Sequence, residues 1–347
     1  MDKKTCQMGK NIYPPTRIYW IDWAKVIAIS FVVFGHIPQE LGSFPQNYIT
    51  IFHMPLFFFI SGYLTKRERF NKETLKKYWQ TLIIPYLCYN VIFYPYWIVK
   101  YIIENPGLYW FDIVKPIIGT ILFQIESPIS VPLNGVTWFI SCLLIMKAIL
   151  SITIRYKLSS LFLFLLCLLS TSLFIANEQH RFFTDLLSNG LFKCFPFFII
   201  GHFCRQKNLI KDYQKKSNLI FLTIAILVSI SCYKLWSDNY NILSYGLRFW
   251  IICGFAILFI IFLCKNLDDL RLTIIKQLSI GTIVIMGIHW MIIGVSNYAV
   301  SKVFHISNIV YPLHIAIILT ILFVIILYPL IILFNNKIPF MLGKRKL

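Results

Sequence analysis

Residues 19–36 read YWIDWAKVIAISFVVFGH, a run apolar enough to cross a bilayer that nevertheless carries Asp22, Lys25 and His36. A spanning helix needs about 20 mostly apolar residues. An ionisable group at mid-bilayer costs several kcal/mol unless it faces protein or water, which makes each of the three a functional candidate. At about 100° per residue, Lys25 and His36 fall within roughly 20° of one helix face and about 16 Å apart along the axis. Asp22 precedes Lys25 by three residues, the spacing for an ion pair that makes both charges tolerable at low dielectric. The bland alternative is a structural Asp22–Lys25 pair at the membrane boundary with an interfacial His36.

Similar runs recur along the chain. Of its 347 residues 58% are hydrophobic and 14% charged, and the mean hydropathy is +0.71, far from the mix of a soluble domain. The expected fold is an all-α polytopic membrane protein with about ten transmembrane helices in one bundle, at 18–37, 47–64, 78–103, 133–154, 159–176, 186–204, 218–236, 246–264, 278–300 and 312–334. Residues 18–334 form the membrane domain, flanked by tails at 1–17 and 335–347. The first seventeen residues have no apolar core or small-residue cleavage site and read as a tail, not a removable signal. Residues 104–132, broken by Pro106, Pro116, Pro128 and Pro132, are expected to lie in the interface or re-enter the bundle.

A formal net charge of +19 would point to nucleic acid in a soluble chain, but the positions of the charges exclude that reading. KRERFNKETLKK at 66–77, RQKNLIKDYQKK at 205–216, Lys147, Arg155, Lys157, Lys265, Arg271, Lys276 and the tail GKRKL fall on one side when the N-terminus is placed inside. The excess places both termini in the cytoplasm. The nine cysteines are scattered and mostly within expected spans, so no metal site is expected.

In the second span, IFHMPLFFFISGYL at 51–64 brings His53 to a depth like that of His36, and carries Pro55, Ser61 and Gly62, which let another backbone approach. A neutral imidazole at that depth is available as a general base. SIGTIVIMGIHWMII at 279–293 adds Ser279, Thr282 and His289, and KCFPFFIIGHFC at 193–204 contains Lys193 and His202, the latter read as structural or interfacial. His180, His305 and His314 receive no role.

RIYWIDWAKVIAISFVVFGH at 17–36, FHMPLFFFISGYL at 52–64, TWFISCLL at 137–144, FPFFIIGHF at 195–203 and SIGTIVIMGIH at 279–289 together resemble the integral membrane O-acyltransferases, acyltransferase family three, and within it the fucose 4-O-acetylase-like branch. The resemblance implies about ten spans in the cell inner (cytoplasmic) membrane. It also implies acyl-CoA, most often acetyl-CoA, as a cytoplasmic co-substrate with no permanently bound cofactor, and O-acetylation of a carbohydrate or lipid-linked glycan acceptor. The family's hallmark is a basic residue, usually Arg, then ten residues, then His. Lys25 and His36 match that spacing with Lys in place of Arg, which weakens any bidentate grip on phosphate.

His36 is therefore the expected catalytic base, with Asp22, Lys25, His53, Ser61 and His289 supporting it. Lys25, Arg67 and Arg69 are expected on the donor side, and Asn134 and Trp138 on the acceptor side, where an aromatic face and an amide suit a sugar. Trp138 has an alternative reading as an interfacial anchor. The competing function is a transporter or flippase of a lipid-linked saccharide, in which the same polar residues line a path. A passive scaffold leaves the polar stripe unexplained.

Overall fold

A computed structural model describes residues 17–40, 43–105, 107, 109–210, 218–234, 242–306 and 308–344. The tail expected at 1–17, Arg17 apart, lies outside the described residues, as does the second half of the basic loop 205–216, residues 211–216. The helices are α1 (Tyr19–His36), α2 (Phe44–Leu64), α3 (Lys72–Tyr78), α4 (Ile84–Glu104), α5 (Trp110–Ile121), α6 (Trp138–Arg155) and α7 (Ser160–His180). They continue with α8 (Lys193–Gln206), α9 (Asn218–Lys234), α10 (Ile242–Asn266), α11 (Thr273–Ile280), α12 (Thr282–Phe304), α13 (Leu313–Ile326) and α14 (Tyr328–Lys337).

Each of the ten expected stretches is mainly helical over its described residues. Among the described residues, seven helical stretches are long and apolar enough to cross a membrane: Lys72–Glu104, Gly135–Arg155, Ser160–Glu178, Leu186–Gln206, Gly246–Asn266, Thr282–Phe304 and Leu313–Lys337. α1 and α2 are not among the seven, and these two carry the polar stripe and the first histidine pair. The expected tail at 335–347 is structured as far as residue 344: Met341 and Leu342 are buried, and Tyr89 Oη donates to the Met341 carbonyl at 2.9 Å.

The tightest helix pair is α2 against α8, and its cause is two glycines. A Cβ on Gly62 would lie 1.9 Å from the Phe198 carbonyl oxygen, and one on Gly201 would lie 2.1 Å from that of Phe59. Only hydrogen at both positions lets the backbones meet, as small residues do in membrane helix pairs. Around this seam pack Phe58, Phe59, Phe197 and Phe198, all buried.

Three of the expected spans are not continuous α-helices at points that matter. π-Helical turns at Trp79–Ile83 and Leu186–Phe192 precede α4 and α8; each inserts an extra residue that rotates the helix face presented beyond it. The ninth expected span breaks at Gly281, between α11 and α12, where a Cβ would lie 2.4 Å from the Ile331 side chain of α14, so only glycine fits at the break. The break leaves the Ser279 carbonyl open to other donors.

The 104–132 segment does re-enter the bundle. α5 ends in a left-handed turn at Phe123 (φ 56°) and Gln124 (φ 69°). There the buried Gln124 amide donates to Tyr86 Oη at 3.0 Å and to Asn90 Oδ1 at 2.9 Å. Asn90 Nδ2 donates in turn to Thr137 Oγ1 at 3.2 Å. Since Asn90 precedes the end of α4 by about 14 residues, roughly 21 Å of helix, the turn and the start of α6 both lie deep within the bundle. Trp138 therefore opens α6 inside the protein, and the reading of it as an interfacial anchor does not hold.

Candidate active site

α1 is anchored at both ends. At its start no flanking side chain caps the helix; Asp268, from the loop after α10, accepts the Trp20 N–H at 2.7 Å, and the Leu270 carbonyl accepts Trp23 Nε1–H at 3.1 Å. A carboxylate at a helix N-terminus satisfies an orphan donor and the dipole together. At its end, Gln46 Nε2 donates to the Gly35 and Ile37 carbonyls at 3.1 and 3.3 Å, and Gln39 Nε2 to the Phe34 carbonyl at 3.2 Å. The Tyr311 N–H reaches the Pro38 carbonyl at 2.9 Å. His36, the last residue of α1, thus stands on a pinned backbone.

The expected Asp22–Lys25 ion pair does not form. Arg17 takes the buried Asp22 carboxylate with two prongs, Nε at 2.6 Å and Nη2 at 2.9 Å, and the Ser279 hydroxyl donates to the same group at 2.6 Å. Lys25 Nζ donates instead to the Ser279 backbone carbonyl that the break before α12 leaves open. A planar guanidinium matches a carboxylate better than an ammonium does, so Arg17 displaces Lys25 and both contacts meet at Ser279. Asp22→Ala is expected to lower stability by about 3 kcal/mol or more, because it leaves the Arg17 and Ser279 donors without a buried acceptor; a thermal melt of the solubilised protein reads this, and an unchanged midpoint would refute it.

Three groups of cavities surround α1. At its N-terminal end an opening of about 450 Å³ is lined by Arg17, Lys25, Lys66, Arg67, Arg205 and Ser279, among others. Two neighbours of about 750 and 550 Å³ add Lys265 and Arg271, and Arg69 and Lys157. His202 lies between the first and last of these; its Nδ1 donates to the Thr65 carbonyl at 3.1 Å and its Nε2 accepts from Gln206 at 2.6 Å, so both ring nitrogens are used and it pins the Arg67 loop to α8. The structural reading of His202 holds.

Further along the same face of α1, Ile29, Val32 and His36 line a second cavity of about 300 Å³ with His53, Trp138 and Lys193. Positions 25, 29, 32 and 36 follow the i, i+4, i+7, i+11 spacing of one helical stripe. The opposite wall is also continuous, Ser279 facing the first cavity and Thr282 the second. At the other end of the bundle, a groove of about 940 Å³ is lined by Phe93, Tyr96, Trp97, Trp290 and Asn297. Among the described residues, His36 alone lines both the 300 Å³ cavity and this groove.

His36 and His289 are ring neighbours, with centroids 5.1 Å apart, and Trp290 lies 6.0 Å from His36. The buried His289 is held by its Nδ1–H, which donates to the Ile285 and Met286 carbonyls at 2.8 and 3.0 Å, and its Nε2 has no partner. His53 Nδ1 donates to the Ile49 carbonyl at 3.0 Å. The structure thus gathers His36, His53, His289 and Trp138, with Lys25 at the far end of the stripe and Arg67 and Arg69 around the N-terminal cavities. It does not bring in Ser61, whose carbonyl accepts from Thr65 Oγ1 and which lines none of these spaces. Asn134 is fully buried and donates to the Gly287 carbonyl at 2.9 Å, so it braces α12 two residues before His289 and is walled off from the cavities.

Two lining residues had no role on sequence grounds: Lys193, and Asn189 on the π-helical turn before it. A lysine inside an apolar run was the available signal for the first; nothing in the sequence marks the second. Among the described residues no group of histidines, cysteines and carboxylates could hold a metal ion.

A family model described as an acyltransferase domain matches residues 18–334. No curated protein and no solved structure matches the chain.

Proposed function

Because the chain belongs to this acyltransferase family, acyltransferase family three, and is a membrane acyltransferase, we propose that it transfers an acyl group, acetyl in the first instance, from acyl-CoA to a sugar hydroxyl of a cell-envelope glycan. The observation that carries this reading is the position of His36 where two spaces of different character meet. The basic N-terminal cavities suit the phosphates of CoA, with Arg67, Arg69 and Arg205 supplying charge that raises the local concentration of an anion. From there the Lys25–Ile29–Val32–His36 stripe offers the pantetheine arm a largely apolar way to the base. The aromatic groove beyond His36 suits the faces of a sugar.

In the reaction, the acceptor hydroxyl gives its proton to a ring nitrogen of His36 as its oxygen bonds to the thioester carbon. Collapse of the tetrahedral species breaks the carbon–sulfur bond, and the departing CoA sulfur takes the proton from the imidazolium. His289 is fixed beside His36 by its Nδ1–H bonds to the Ile285 and Met286 carbonyls, and His53 lines the cavity on the other side. In this scheme Trp138 walls the acyl end of the donor path, and the groove residues Trp97 and Trp290 replace Trp138 and Asn134 as the acceptor platform. The charge bias supports a reading with the N-terminal cavities on the cytoplasmic side, the groove outside and ten crossings of the inner membrane.

Mass spectrometry of envelope glycan from cells lacking the gene and from cells complemented with it tests the proposal. An acyl mass increment restored by complementation is the expected result. A change in the surface amount of glycan at constant mass would replace the transferase reading with transport of a lipid-linked saccharide.

A further inference from the structure

Resting on the acyl-transfer reading above, we infer that Lys193 is a catalytic residue: its ammonium stabilises the oxyanion that forms on the thioester carbonyl when the acceptor attacks. Lys193 lines the 300 Å³ cavity together with His36 and His53, the space into which the stripe on α1 delivers the acyl end of the donor. It is the first residue of α8, directly after the π-helical turn Leu186–Phe192. That turn shifts the helical register by one residue, and so decides which face of α8 Lys193 occupies.

Its surroundings suit a charge that is used, not merely tolerated. The ammonium sits over the rings of Phe249 and Phe174, 5.1 and 5.8 Å from their centroids. Among the described residues no carboxylate is within ion-pair distance of it. Asp185, the acidic residue that begins the preceding turn, is engaged by Asn189 Nδ2 at 3.1 Å. Aromatic faces hold a cation in place while neutralising it only weakly, so its field is available to a charge that appears in the cavity. A preformed cation in a poorly hydrated site is worth far more toward a developing oxyanion than the same group in water.

The step balances with no proton passing to or from Lys193. As the acceptor oxygen bonds to carbon, the carbonyl π pair moves to oxygen and is met by an N–H of Lys193, while His36 holds the acceptor's proton. When that pair returns, the carbon–sulfur bond breaks and the proton passes from His36 to sulfur. Lys193 therefore acts between substrate and product and adds little to the binding of either.

The test uses the full-length protein in membranes, with acetyl-CoA and the envelope glycan that acquires the mass increment, comparing wild type, Lys193→Met and Lys193→Arg. Methionine keeps the length and apolar bulk; arginine keeps the charge. The expected result is a kcat for Lys193→Met lowered about 10²–10³-fold, the loss typical of one oxyanion donor, with both KM values within about threefold of wild type and Lys193→Arg retaining most of the rate. A kcat for Lys193→Met within threefold of wild type overturns the assignment while leaving acyl transfer intact. Equal loss in the Met and Arg variants, or a loss confined to KM, overturns it in favour of a packing or binding role. Wild type that transfers no acyl group overturns both readings together.

Discussion

His36→Ala is expected to lower the acyl-transfer rate about 10²–10⁴-fold, the span that one positioned general base contributes, with little change in thermal stability. A sugar hydroxyl is a poor nucleophile toward a thioester until its proton has somewhere to go. His36 is the group that both cavities reach. The side chain is exposed and its packing is confined to the rings of His289 and Trp290, so truncation removes chemistry at a small cost in packing. The backbone beneath it is held independently by Gln46, Gln39 and Tyr311, so the variant keeps the end of α1. Turnover with acetyl-CoA together with a melting curve separates the two effects. A variant that retains activity within threefold would remove His36 from the chemistry, and a variant that melts far below wild type would make its inactivity uninformative about the base.

Gly62→Val is expected to give the largest loss of folded protein of any single change in the α2–α8 seam. The added carbons would meet the Phe198 carbonyl, whose oxygen already lies 1.9 Å from an ideal Cβ. Overpacking in a core usually costs about 1–3 kcal/mol because side chains can rotate away. Here the obstacle is backbone, so the helices must separate, and the cost belongs at or above the top of that range. Separation would also move function: α2 carries His53 and leads into Arg67, while α8 carries Lys193 and Arg205. Size-exclusion and thermal unfolding of the detergent-solubilised variant read the effect. A monodisperse protein with the wild-type midpoint would show that the seam has slack.

Much of this arrangement was legible in the run at 19–36. Helical periodicity alone placed Lys25 and His36 on one face, and two successive cavities lie along that face. The Asp22–Lys25 pair failed because spacing shows which residues can meet, not which competitor wins: Arg17, five residues before Asp22, offers a fork, and the Ser279 carbonyl is an acceptor for Lys25 because the helix is interrupted at Gly281. Lys193 was visible as a charge among aromatics, but its place depends on a π-helical turn that no periodicity announces. Asn134 has the chemistry to bind a sugar and spends it on the Gly287 carbonyl. The prolines of 104–132 marked a segment unlike its neighbours, yet its depth is set by Gln124, whose partners Tyr86 and Asn90 lie more than thirty residues earlier.

That deep turn also constrains how the protein is made. α5 spans Trp110–Ile121, about 18 Å of helix, too short to settle across a bilayer as a newly synthesised segment. The amide groups of Gln124 and Asn90 and the Thr137 hydroxyl would each be costly to leave in lipid alone. The segment must therefore wait beside the membrane until α4 is in place to receive it and α6 emerges to close it in. The neighbourhood of Trp138 is then among the last parts of the first half of the bundle to mature during synthesis, and chains arrested before α6 would have α4 but lack the wall that Trp138 gives the cavity beside His36.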